Sequence, residues 1–114
     1  MIFKEEDFPL YQHLLKLNEP EAAVAKSHFE AAVAGGFDEQ VYFAIGIQGV
    51  AANVPLEKIP GSTKQMMEKT LQTCLKVFKE AAAAGHEDAI IMVQDFEARG
   101  LGKPSLWQRM LGNS

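Results

Sequence analysis

The sequence is short of several things, and each shortage closes off a class of protein. It holds one cysteine, Cys74, so no disulfide can form within the chain. Strictly alternating apolar and polar stretches are missing and β-branched residues are scattered, which argues against a sheet. No apolar run is long and uninterrupted enough for a membrane span. The opening Met-Ile-Phe-Lys-Glu-Glu-Asp-Phe-Pro lacks the apolar stretch behind a basic start that marks a secretory signal. These shortages give the expectation of a cytoplasmic protein with no membrane partner. Basic charge is also short: 11 Lys and Arg stand against 15 acids, a net charge of −4 that disfavours general binding to nucleic acid. The deficit is uneven, −6 over residues 1–57 and +2 over residues 58–114. Such polarity can orient a protein partner or a second copy, or it can simply reflect two solvated faces.

Recognisable chemistry is scarce as well. His13, His28 and His86 each stand apart from one another and from Cys74, with no zinc-ligand spacing, so no metal site is predicted. His28 and His86 read as surface residues. Cys74 lies on an apolar stripe with Leu71 and Phe78, the setting of a buried thiol rather than a nucleophile. Gly46-Ile47-Gln48-Gly49 is no phosphate loop, because no strand precedes it and no Lys-Ser/Thr follows. The acids at Glu5-Glu6-Asp7, Glu87-Asp88, Asp95 and Glu97 read as helix starts and solvated faces. No catalytic residue and no cofactor is predicted.

What the chain does have is helical periodicity. With 114 residues, 47% of them hydrophobic, it can bury the core of one domain, 1–114. Phe8, Tyr11 and Leu15 form a stripe, with Leu10, Leu14 and Leu17 beside it. Ala22, Ala25, Phe29, Ala32 and Val33 form a second. Leu71, Cys74, Leu75, Phe78, Ala81 and Ala82 form a third, and Ala89, Met92, Val93 and Phe96 a fourth. Breaks fall between them. Asn18-Glu19-Pro20 looks like a helix start, Gly35-Gly36 a stop, and Asp38 a cap for the next helix. Ser62-Thr63-Lys64-Gln65 and Ser105-Leu106-Trp107-Gln108 have the form of capping boxes. Gly85 and Gly100-Leu101-Gly102 end helices. The prediction is six helices: 5–17, 20–34, 38–52, 62–84, 87–99 and 104–112. The helix over 38–52 is apolar nearly all round, so it is either central or apolar on an exposed groove.

Two segments repeat at an offset of 49 residues. Phe29 aligns with Phe78, Ala32 with Ala81, Gly36 with Gly85, Asp38 with Glu87, Val41 with Ile90 and Ile47 with Phe96. An aromatic, small residues, a glycine stop, two acids and an apolar helix recur in that order. The small residues of Ala81-Ala82-Ala83-Ala84 predict close helix packing beside the glycine turn, with Phe78 as a wedge one turn earlier.

Ala81, Ala82, Gly85, Ala89, Gly100 and Gly102 fall on the pattern of the Sel-one-like repeat, a relative of the tetratricopeptide repeat, which the sequence resembles over Leu71–Trp107. Over Ala22–Asn53 the resemblance is weaker, since Gln40 stands where a small Ala belongs and Ala51 and Asn53 replace the later Gly-x-Gly. The resemblance implies an all-α fold, a short superhelix of antiparallel helical hairpins. Capping helices would close its ends through Phe8, Tyr11, Leu14 and Leu15 on one side and Leu106, Trp107, Met110 and Leu111 on the other. It implies a concave surface that binds other proteins, on which Tyr42, Ile45, Ile91, Gln94 and Asp95 would lie. The expected function is a non-enzymatic protein-binding module, in specific form a small bacterial adaptor, chaperone or toxin-immunity protein. An unrelated small helical bundle is the alternative fold. A structural homo-oligomer, including a homodimer through the end helices, and a small enzyme using an acid pair with one of the three histidines are the alternative functions.

Overall fold

Pro9 decides how the chain begins. The first predicted helix, 5–17, is broken there: Glu5–Asp7 form a 3-10 turn, and an α-helix starts at Pro9. A proline ring disfavours helical backbone in the residue before it, and Phe8 accordingly sits at φ −120°, ψ 71°. In a computed structural model that describes residues 3–17 and 20–102, five α-helices follow in order. They are α1 (Pro9–Leu17), α2 (Pro20–Ala34), α3 (Phe37–Asn53), α4 (Lys64–Ala83) and α5 (Glu87–Arg99), with a second 3-10 turn at Leu56–Lys58. No strand occurs among the described residues. The expected cap at Asn18 and the sixth predicted helix, 104–112, lie outside them.

The break before Pro9 exposes backbone groups that a continuous helix would have paired. Two threonines of α4 take them up. Thr70 Oγ1 accepts from the Leu10 N–H at 3.1 Å, and Thr73 Oγ1 donates to the Asp7 carbonyl at 2.6 Å. Both threonines are buried among apolar neighbours and hydrogen-bonded, as burial requires.

Two expected caps move by a residue or more. Gly36, not Asp38, is the N-cap of α3, and its N–H donates to the Glu39 carboxylate at 2.9 Å. α4 is capped by Thr63, whose Oγ1 accepts from the Met66 N–H at 3.2 Å. Ser62 instead donates its hydroxyl to the Leu56 carbonyl, closing the turn before α4. The end of α4 follows the sequence reading. Gly85 takes φ +91°, and the Gly85 and His86 N–H groups return to the Ala82 and Ala81 carbonyls. That paired return needs a left-handed residue, which glycine supplies without a side-chain clash.

α3 is the central element, packed between α2 and α4 and touching α1 and α5. α2–α3 and α4–α5 are helical hairpins. α3 and α5 run side by side in the same direction, tied by His86 to Asp38 at one end and by Arg99 to Asn53 at the other. α1 does not close the end of the row. It packs on both α2 and α4, which α3 separates, and so covers one face. Five rings meet there, Phe3, Phe8, Tyr11, Phe29 and Phe43, with the Tyr11 and Phe29 rings stacked at 4.7 Å. The second hairpin holds one ring pair, Phe78 edge-to-face on Phe96 at 5.3 Å.

Two core expectations change. Val33 is exposed, as are Ala83 and Ala84, so close packing beside the turn involves Ala81, Ala82 and Ala89 only. Val41 is buried while its aligned partner Ile90 is exposed. Gln40, aligned with the fully buried Ala89, is itself buried.

Candidate functional site

α3 is apolar on more faces than its neighbours can cover. Val41, Phe43, Ala44, Ile47 and Ala51 are buried. Tyr42, Ile45, Gly46 and Val50 are left along an open side, where they form a groove of about 370 Å³ with Val24 and His28 of α2 and Leu14 of α1. Its walls are almost wholly apolar. Tyr42 is 62% exposed and Val24 59%, an unusual state for large apolar side chains on the same cleft. Both alternatives read for this helix therefore hold together: it is central, and one stripe of it is exposed.

The groove changes character at the start of α3. The His28 and Tyr42 rings meet edge-on at 4.9 Å. Past them lies an adjoining hollow of about 260 Å³ lined by His28, Ala31, Asp38, Glu39 and Tyr42. The cleft thus runs from an apolar floor to an acidic mouth. Asp38 is 88% exposed there, held by His86.

Of the five residues assigned to a partner surface, the structure brings two together. Tyr42 and Ile45 share the groove. Ile91, Gln94 and Asp95 stand on α5 and line neither hollow. Ile91 and Gln94 are exposed, and Asp95 accepts from Arg99 Nη1 at 3.2 Å.

The histidines are engaged separately. His13 Nε2 donates to the Pro60 carbonyl at 2.6 Å, tying α1 to the loop before α4. His28 lies against Tyr42. His86, expected on the surface, is mostly buried and caps α5: its Nδ1 accepts from the Ala89 N–H at 3.3 Å. The ring proton is therefore on Nε2, which donates to Asp38 Oδ1 at 2.7 Å. One available signal was the spacing of His86 and Asp38, one residue short of the repeat offset. Histidine is not a preferred cap, so the capping role itself left no trace in the sequence.

Two other ionisable groups are set by burial. Cys74 is fully buried, its Sγ donates to the Ala44 carbonyl at 3.6 Å, and burial raises the thiol far above its ordinary range. Tyr11 is pushed up to about 12, first by burial and then by the carboxylates of Glu5 and Glu30. Among the described residues no group of three His, Cys, Asp or Glu side chains converges as a metal site would require, and no helix is long and apolar enough to cross a membrane. The arrangement on α2 and α3 can bury apolar side chains and hold a positive charge at one end.

No protein-family model matches the chain, and no curated protein or solved structure matches it.

Proposed function

We propose that the chain is a non-enzymatic protein-binding module whose docking surface is the α2–α3 groove. One observation carries this reading: of the four large apolar side chains more than half exposed among the described residues, Val24, Val33, Tyr42 and Ile91, two stand together on one apolar cleft, Tyr42 and Val24. Tyrosine in such a place is a favoured binding anchor, since it offers a large rigid face and a polar tip. A Cys74 thiol held protonated by burial supports the absence of nucleophilic chemistry at that residue.

We read the two hairpins as degenerate copies of a Sel-one-like repeat in a short superhelix. The aligned pairs Phe29 and Phe78, Ala32 and Ala81, and Ile47 and Phe96 are alike buried, and α3 and α5 run in parallel. A small bacterial adaptor, chaperone or toxin-immunity protein is the form of module this size and charge polarity suit.

A pulldown from the native cell with Tyr42→Ala and Asp95→Ala tests the surface. Tyr42→Ala weakens capture of the partner by about tenfold or more, the loss typical of a central aromatic anchor. Loss with Asp95→Ala as well would extend the surface over α5. A partner held equally by both variants and the parent chain would overturn the groove as its docking site.

A further inference from the structure

We propose that the α2–α3 groove is an interface between copies of this chain, filled by residues 104–112 of a second copy. The inference rests on reading the groove as a docking surface and names what occupies it when no other protein does.

Gly46 and Gly49 lie within α3, and a Cβ added at either meets nothing within 4 Å. Each costs the helix about 1 kcal/mol relative to alanine, and among the described residues no packing requires either. Gly46 lies in the groove wall, where a missing side chain leaves room for a second backbone to approach. From Tyr42 to Val50 the groove follows nine residues of α3, about 12 Å of helix from first to last.

The chain carries a segment of matching length, pattern and charge. Leu106, Trp107, Met110 and Leu111 recur at the spacing of one helical face. Helical residues 104–112 would extend about 12 Å, the length of the groove. Residues 103–114 contain Lys103 and Arg109 and no acid, whereas the mouth of the groove presents Asp38 and Glu39. A segment with apolar residues at helical spacing and one basic residue, Arg109, would therefore meet an apolar cleft with an acidic end.

Reach assigns the segment to another copy. Gly102 lies against Leu71 and Leu75 of α4. Residues 103–105 span about 10 Å at full extension. The groove lies between α2 and α3, and α3 stands between α2 and the α4 surface on which Gly102 packs. A two-fold dimer in which each copy lends its segment to the other fills both grooves with the same contact.

The test uses the full chain and its single tryptophan, Trp107. Sedimentation velocity and Trp107 emission are followed from about 1 to 100 μM, a range that spans ordinary dimer affinities. The expected result is a monomer–dimer equilibrium in which emission shifts to the blue as the dimer forms. Gly46→Glu, which fills the groove with a charged side chain, and Leu111→Glu, which spoils the segment, each raise the dimer Kd at least about tenfold. Mixed together, the two variants recover a weaker heterodimer, because one intact groove then faces one intact segment. A monomer at every concentration overturns the proposal and leaves partner docking to be judged by the Tyr42→Ala pulldown. A dimer indifferent to Gly46→Glu, or an emission already blue-shifted and independent of concentration, also overturns it.

Discussion

The α2–α3 and α4–α5 hairpins use aligned sequence to different ends. Both place a phenylalanine and an alanine at corresponding buried positions of their first helix. They then diverge at the turn. The α4–α5 turn has a left-handed Gly85 and a histidine cap. The α2–α3 turn is a residue shorter, Gly36 keeps an extended φ of −108°, and Glu39 supplies the capping contact. The two second helices keep the same core register, with Ile47 and Phe96, and Gln40 and Ala89, alike buried, but α3 is covered by both α2 and α4 while α5 packs mainly on α4. Val41 turns inward where Ile90 turns outward, and Tyr42 becomes the wall of a groove. A repeated sequence can thus yield one hairpin built for packing and another left partly open.

The largest expected effect lies in the five-ring cluster. Phe43→Ala destabilises the fold by about 3–5 kcal/mol. It costs about 1 kcal/mol more than Phe96→Ala, because Phe43 loses several edge-to-face partners and Phe96 one. Urea titration reads both, and equal losses would mean the rings contribute area alone. Next in size is the unequal covering of α3 and α5. Val41→Ala costs about 2 kcal/mol and Ile90→Ala about 0.5 kcal/mol or less; thermal melts giving the same loss for both would restore strict equivalence.

The turns separate by a smaller margin. Gly85→Ala forces a side chain into left-handed backbone and costs about 1–2 kcal/mol. Gly36→Ala, with open space around its Cβ and ordinary φ, costs about 0.5 kcal/mol as a poorer cap. The last effect is silent at neutral pH. Tyr11 in the fold titrates near 12, above the usual value of 10, so the unfolded chain releases this proton first as pH rises. Its contribution is complete below pH 10 and is lost by about pH 12. Tyr11→Phe removes that part of the alkaline decline, and denaturation curves at pH 8 and pH 11 should show the variant's smaller fall.

Much of this architecture was legible in the residues. Periodicity marked α2, α4 and α5 nearly to their ends, because each buries one stripe and stops at glycine or a break. It marked Cys74 as buried for the same reason. It passed over Thr70 and Thr73, since a buried threonine needs a hydrogen-bond partner and part of that partnership is with a distant backbone group. Here that need arises at Pro9, some sixty residues away in sequence. Of the proposed docking surface, Tyr42 and Ile45 were readable as surplus apolar residues on α3. Whether Ile91, Gln94 and Asp95 would join them depended on where α5 packs, which no local pattern encodes.

By itself the sequence determined that the chain is helical and where most helices begin and end. Local propensity, caps and glycine stops act within a turn or two of where they are written. Tertiary structure decided the rest: that α1 crosses α2 and α4 instead of closing the row, that His86 reaches Asp38, and that one side of α3 stays open. Those outcomes depend on which faces meet after the helices form, and the residues on those faces lie far apart in sequence.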